Sequence, residues 1–487
     1  MEYSADWQFS NLRTVMSNDN RASHDSRLTI VANKTRDSKM RFRNIILLSS
    51  IAMITYMDGR GQSITGRPLS LQESVQTAIK NNFDVKQMDL SMERANITLR
   101  QSKANLLPGV SGEINHTLNQ GRSIDLSTNS YVNQQQTSGS YALSGNVTLF
   151  NGLRLQNTLK SSQYAYEASK MELQTSKDQL MLNVILAYLQ ILTNSDLLQQ
   201  AYKQAEVTQK QVERLDLMNK EGAIKPSDLS DMKGLWADNK LSIIRSQNDL
   251  DGARLSLSQL MNVPYNKELQ VERLRADQVE MNYTTTPDSI FSIALQQLAI
   301  IKAADLRTKS AEKAVQAAKG NLFPSIGLGA GFYTPYSSTA RDSAAQKIEY
   351  YDQLSNNYRT YVGVGINIPI FNNLRNRNQV AMAKIDLKSA TYAAQTRQIQ
   401  LKQNIEQDHF NMTAAKNRYL ALLDQVAAYM ESFNAAEARF NAGASNSIDY
   451  LIAKNNLDRA NVNLIIARYD YILRTKILDY YQGKPLW

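Results

Sequence analysis

The 487-residue chain has no cysteine, only three histidines (His24, His116, His409), 20 glycines and 9 prolines. Without cysteine there is no disulfide framework, no thiolate metal site, no cysteine nucleophile and no lipid anchor on an N-terminal cysteine. The histidines are too scattered to suggest a metal cluster. Long apolar runs are also missing. The mean hydropathy of -0.42 excludes a polytopic helical membrane protein, which needs repeated spans of about 20 apolar residues. Charge of one sign is not concentrated either. Of the net charge of +10, residues 1–61 supply nine Lys/Arg against six Asp/Glu, and the rest is spread along the chain. Basic residues there interleave with acidic ones as on a solvated helix face, so no nucleic-acid partner is expected. No Gly-x-Ser-x-Gly, P-loop or paired-carboxylate constellation occurs, so neither an enzyme nor a cofactor nor a metal is implied. Gly327-Leu328-Gly329-Ala330-Gly331 superficially resembles a nucleotide loop, but it sits inside an alternating strand pattern, where glycine marks close packing or bore space.

What is present begins with a polar stretch of mixed charge, residues 1–39, expected to be disordered. Arg41-Phe42-Arg43-Asn44 and the apolar run Ile45 to Met57 follow. Thirteen apolar residues are too few to cross a bilayer of about 30 Å. A basic stub, a short apolar core and Gly61-Gln62-Ser63 fit a secretory signal peptide over 40–61, with an amphipathic anchor or a buried helix as the other readings. Met40 stands where such a peptide would start, so residues 1–39 are expected to be disordered or an untranslated extension. The exported chain would then begin near Gln62.

Beyond it the sequence repeats. Lys103-Ala104-Asn105-Leu106-Leu107-Pro108 returns as Lys319-Gly320-Asn321-Leu322-Phe323-Pro324, and Asn146-Val147-Thr148-Leu149-Phe150-Asn151 as Asn367-Ile368-Pro369-Ile370-Phe371-Asn372. The interval from Phe150 to Gly222 equals that from Phe371 to Gly443, whereas Pro324 to Phe371 is longer than Pro108 to Phe150. A constant interval is expected where two rods must end at one level, a variable one where a loop faces solvent. The constant interval is helical: neither the stretch between Gly152 and Gly222 nor that between Pro369 and Gly443 contains any Gly or Pro. At about 1.5 Å per residue each is a rod of about 100 Å that must pack on other long helices. Each rod turns at Gly222 or Gly443, with Asp228 or Asp449 at or near the next helix start. Two repeats, 62–268 and 269–483, are expected, with long hairpins at 153–262 and 372–482 and a tail at 484–487. The apolar run Leu180 to Leu192 is read as core packing.

Only the variable interval alternates. Strands are expected near 108–120, 140–150, 324–334 and 360–370, apolar on one face (Val110, Ile114, Leu118; Tyr141, Leu143; Leu328; Val362, Val364, Ile366) and polar or small on the other. Their length and dyad are those of outer-membrane strands, and tyrosines crowd their distal ends. A soluble sheet with one buried face is the other reading, but no segment remains to cover that face. Segments 122–138 and 337–358 are expected to be extracellular loops. Four strands cannot close a barrel, so several copies would be needed.

This ordered set, found twice, resembles the TolC family of outer-membrane efflux and secretion channels, from about Ser70 to Gly483. Ser70-Leu71-Gln72-Glu73 and Ala78-Ile79-Lys80-Asn81-Asn82 are similar to the family's first helix. The resemblance implies an α+β membrane protein. Three protomers would share a 12-stranded outer-membrane β-barrel, continued by a long coiled-coil α-helical periplasmic barrel. The protein would be a passive exit duct of a tripartite pump or type I secretion system in a Gram-negative outer membrane. It would partner outer-membrane lipid, a periplasmic adaptor (membrane fusion) protein and an RND, ABC or MFS inner-membrane pump. Carried over by position, Gly222, Ala223, Gly443 and Ala444 would be adaptor-contact tips. Asp449, Ile452 and Asp228 would form the constriction, with helix capping the alternative role for both aspartates. The family's basic latch position falls on Ser445, leaving Asp228 without that partner; Lys225 or Arg439 could replace it. The rival function is an exported periplasmic coiled-coil scaffold.

Overall fold

A computed structural model describes residues 67–124, 129–273 and 283–486. The expected extension 1–39 and signal peptide 40–61 lie outside these residues. The chain opens with α1 (Leu71–Asn81), started by a reciprocal capping box in which Ser70 Oγ accepts from Glu73 N and Glu73 accepts from Ser70 N. Asn82 breaks the path and caps α2 (Phe83–Ala104) by accepting from Asp84 and Val85. Strands β1 (Gly109–Ile124) and β2 (Tyr131–Phe150) follow, then the rod α3 (Arg154–Lys220) and its return helix α4 (Pro226–Met261). The second half repeats the order: α5 (Pro287–Gln297), α6 (Ala299–Gly320), β3 (Ser325–Ser337), a short α7 (Tyr350–Asn356), β4 (Arg359–Asn367), the rod α8 (Arg375–Asn441) and α9 (Ser447–Tyr481). Both rods are 67 residues long, so the equal spacing in sequence becomes equal length, about 100 Å each.

The four strands form one antiparallel sheet in chain order. Its register puts Val110 opposite Gly145, Ile114 opposite Tyr141, Leu143 opposite Phe332 and Leu328 opposite Val364, so the apolar positions share one face. Val110, Ile114, Val362 and Val364 are 63–77% exposed there. The other face carries Glu113, Asn115, Ser144 and the glycines of β3 and β4. Gly331 leaves room for Tyr361, whose ring would lie 2.5 Å from an added Cβ.

Three expectations need correction. Residues 122–138 are not a loop throughout: β1 runs to Ile124 and β2 begins at Tyr131, with Asn119 opposite Gln136 and Arg122 opposite Asn133. A polar ladder satisfies the backbone as well as an apolar one, and reading strands from apolar alternation ends them too early. Strand β4 stops at Asn367, short of 370, because Pro369 has no N–H to donate. Segment 337–358 contains α7, which reaches the apolar face at its distal end: Thr334 Oγ1 donates to Leu354 O, and Tyr350 meets Tyr336 edge-on at 4.7 Å. That end of the face is therefore covered by the chain itself.

Each sheet-to-rod corner uses left-handed residues, Gly152 and Leu153 (φ 65° and 62°) and then Asn373 and Leu374 (φ 53° and 60°). At the first corner a Cβ on Gly152 would come within 2.5 Å of Gly320 O, so glycine is needed for contact with the end of α6. The apolar run of α3 packs inward, with Leu180, Val184, Ile185, Tyr188 and Ile191 buried. Tyr188 donates to Leu69 O or Glu272 O, 3.0 and 2.9 Å away, where the segments flanking the first repeat meet. In the second half α5 packs on α8 and α9 around Ile290, Ile405, Tyr471 and Leu478.

Candidate functional site

The two helical tips are the same turn made twice. Lys220 ends α3 and Asn441 ends α8. Gly222 and Gly443 both adopt φ 70°. Ala223 N donates to Met218 O and Gly222 N to Asn219 O; Ala444 N donates to Arg439 O and Gly443 N to Phe440 O. These paired bonds satisfy the last carbonyls of each rod and require the left-handed residue that glycine supplies. Nothing lies within 4 Å of a Cβ built on either glycine. Gly222, Ala223, Gly443 and Ala444 are exposed, so the tips offer small residues to whatever docks there.

The return helices start differently. Pro226 opens α4 without a side-chain cap, its fixed φ suiting the first helical position. Asn446 caps α9 by accepting from Asp449 N at 3.1 Å. Neither candidate aspartate is a cap, since both sit three residues past it at the positive helix start. Asp449 is exposed, and Ile452 beside it on the same helix is 56% exposed. Asp228 is not on that surface. It accepts a hydrogen bond from the buried Ser447 Oγ at 2.9 Å, and Asp231 lies 3.2 Å from the same hydroxyl.

The structure thus separates the expected site into an exposed part, Asp449 and Ile452, and a tie between the hairpins, Asp228. Among the described residues neither Lys225 nor Arg439 forms an ion pair within the chain. Groups not singled out from sequence bridge the two tips instead. Arg214 near the end of α3 donates to both the side-chain and the backbone oxygen of Asn441, the latter at 3.0 Å, and Gln211 approaches the same side-chain oxygen at 3.4 Å. Together with Ser447–Asp228, these bonds join the first tip to the second. The only sequence signal is that Asn441 and Ser447 flank a glycine turn; nothing local says which side chains face across. Between the tips lies a cleft of about 440 Å³ with Arg214, Met218, Lys225, Asp228 and Phe440 on its walls.

Behind the ties the tips share an apolar core. Tyr450 is fully buried between Phe433 and Phe440, at ring distances of 5.5 and 5.1 Å, and packs with Leu215, Leu229 and Met232. Its hydroxyl has no hydrogen-bond partner, and burial pushes the phenol above its ordinary range. Next comes a polar layer. Lys454, almost wholly buried, pairs with Asp458 at 2.6 Å, and Asn239 donates to Thr208 Oγ1 at 2.8 Å. Burial raises the Asp458 carboxyl, with Lys454 pulling the other way. Farther from the tips, Asp196 is held by Arg468, by Arg273 at 2.8 Å and by the Tyr469 hydroxyl at 2.9 Å.

Comparison with known proteins gives matches along most of the chain. The family model described as outer membrane efflux protein matches this chain at residues 74–263 and again at 290–479. The outer membrane protein TolC of Salmonella enteritidis is 23% identical over 439 residues, 87% of this chain and 84% of that protein. The toxin and drug export protein A of Aggregatibacter actinomycetemcomitans is 23% identical, covering 82% of this chain and 83% of its own length. Among solved structures, the outer membrane protein VceC of Vibrio cholerae superposes with a TM-score of 0.72 at 16% identity, over 86% of this chain and 97% of that one.

Proposed function

Because the chain belongs to the outer membrane efflux protein family, we propose that three copies close their sheets into one 12-stranded barrel in the outer membrane and their rods into a periplasmic tunnel. The observation that carries this is the sheet. It has four strands, an apolar face open to the outside and two unpaired edges, and it is joined directly to rods of about 100 Å. Four strands cannot close on themselves, since the smallest single transmembrane barrels use eight, whereas three copies give twelve. Lipid covers Val110, Ile114, Val362 and Val364; the face with Glu113, Asn115 and the β3 and β4 glycines lines a wet bore. The chain does no chemistry of its own and serves as a passive exit for small molecules or protein.

In this reading the tips are the tunnel's periplasmic mouth. Asp449 and Ile452 from three copies ring the opening, and the Arg214–Asn441 and Ser447–Asp228 bonds hold each protomer's hairpins together. The open surface at Gly222, Ala223, Gly443 and Ala444 receives an adaptor protein that couples the duct to an RND, ABC or MFS pump in the inner membrane. The test is purification in detergent followed by mass measurement and planar-bilayer recording. A trimer mass with discrete conductance is expected. A monomer that stays soluble without detergent and conducts nothing would reject the channel and restore the periplasmic scaffold.

A further inference from the structure

The apolar face of the sheet has a measurable height. On the rod side it starts at Phe150, which a register shift after Thr148 places opposite Ile326. From Phe150 to Tyr141 is about 30 Å of strand at about 3.4 Å per residue. Strands tilted by about 40° turn that into a rise of about 23 Å, close to the apolar band of about 25 Å that outer-membrane barrels carry between two aromatic girdles. Tyr141 therefore stands at the distal boundary. Beyond Leu118 the same face becomes polar, with Gln120 opposite Gln135 and Arg122 opposite Asn133.

Helix α7 is fixed at the level of Tyr141. Tyr141 pairs with Thr334 in the sheet, and Thr334 Oγ1 donates to Leu354 O of the helix. The Tyr350 hydroxyl meets that of Tyr141, which also meets Nε2 of His116. Gln353, only 1% exposed, binds β3 as a neighbouring strand would. Its Oε1 accepts from Ser337 N at 2.9 Å and its Nε2 donates to Ser337 O at 2.9 Å and to Ile348 O at 2.8 Å. Turned away from the sheet are Tyr351, Asp352, Ser355 and Asn356, all exposed, with Tyr351 at 81%. Hydrocarbon would penalise Asp352 heavily. A ring with one apolar and one wet end is at home where headgroups meet acyl chains.

We propose that α7 is an interfacial helix, seated outside the barrel in the headgroup layer of the outer leaflet, with Tyr351 turned to lipid. This rests on the shared-barrel reading above and adds the depth and the lipid contact of the β3–β4 connection. The occupant is lipid because the outer side of α7 continues the face of Val362 and Val364 at the height where the apolar band ends. The longer of the two hairpin connections therefore stands beside the mouth of the duct and not across it.

The absence of native cysteine allows one nitroxide label at each chosen position. Protein carrying Tyr351→Cys is labelled and placed in vesicles of phosphatidylethanolamine and phosphatidylglycerol, with Val364→Cys and Ser343→Cys as references. Power-saturation electron paramagnetic resonance then compares collisions with oxygen, which concentrates in hydrocarbon, and with a water-soluble nickel chelate. Val364 should favour oxygen and Ser343 nickel. The oxygen-to-nickel ratio at 351 should lie between them, at least about threefold from each, as for a headgroup-level site. A ratio equal to that of Ser343, with Val364 still favouring oxygen, would put α7 in water and overturn the inference alone. A ratio as high as that of Val364 would sink α7 into hydrocarbon and overturn it equally. A label at 351 that neither reagent reaches would mean that protein covers α7, again against the inference. A Val364 label that favours nickel would overturn the lipid-facing sheet itself.

Discussion

Tyr450 shows how closely one side chain can be tied to a large assembly. Its ring fills the tip core between Phe433 and Phe440, but its hydroxyl is buried without a partner. A buried unpaired hydroxyl costs about 1–3 kcal/mol, whereas losing a buried aromatic ring costs about 3–5 kcal/mol. Tyr450→Phe should therefore hold or raise the melting temperature in detergent, and Tyr450→Ala should lower it and open the tips to protease. In the proposed gate, two neighbours separate strength from chemistry. Ser447→Ala removes the donor shared by Asp228 and Asp231, worth about 1.5–3 kcal/mol for a bond to a charged group, and should raise single-channel conductance. Asp449 neither caps α9 nor ties the hairpins, so Asp449→Asn should cost no more than about 1 kcal/mol of helix-dipole interaction. It should reduce cation selectivity and divalent block with little change of conductance at high salt. Unchanged selectivity would take Asp449 off the axis.

Among the elements, the rods set the geometry. Deleting residues 195–201 from α3 removes about 10 Å and leaves the first tip above the second, breaking Arg214–Asn441 and Ser447–Asp228 together. Export should be lost while trimers persist. Deleting the repeat-equivalent residues 416–422 of α8 as well should restore level tips, and export should recover in part. If the double deletion is no better than the single, tip level is not what the equal rods provide. The packing of α8 on α9 also carries a pH response. Burial raises the carboxyl of Asp408, on α8, above its ordinary value of 3.8, opposed by the Tyr481 hydroxyl at 3.0 Å and by Arg474, both on α9. A raised carboxylate contributes most stability below its unfolded value and loses it as pH rises through its folded value. Asp408→Asn, which keeps an acceptor for Tyr481, should therefore leave stability little changed well below the ordinary carboxylate range, at about pH 2.5 to 3, and raise it at pH 7. Melting curves at the two pH values check this.

At the scale of the molecule, the chain divides into a sheet with one exposed, largely apolar face and a helical body whose surface mixes charged side chains with exposed apolar ones such as Ile385 and Phe410, joined at the left-handed corners. That division fixes which end meets lipid and which meets water. The turn Asp342–Gln346 on the β3–β4 connection, where Asp342 N donates to Gln346 O at 2.9 Å, lies at the far end from the rods. An epitope placed between Ser343 and Ala344 should be read by antibody on intact cells. An epitope seen only after the outer membrane is broken would reverse the orientation.

Sequence by itself determined everything that depends on near neighbours along the chain. A helical period without Gly or Pro sets a rod, and a left-handed glycine, Gly222 or Gly443, ends it. A period of two sets strands with one apolar face, and the equal spacing of Phe150 to Gly222 and Phe371 to Gly443 sets two rods of one length. Tertiary structure decided what depends on residues far apart in the chain facing one another. Asn441 is the acceptor for Arg214, Ser447 binds Asp228, α7 folds onto Thr334, and the polar ladder of Asn119 with Gln136 extends the first hairpin. A hydrogen bond across elements needs a register and a rotation that periodicity leaves free. Polar side chains such as Asn, Gln and Ser satisfy water, a loop or a ladder equally well until packing presents one partner.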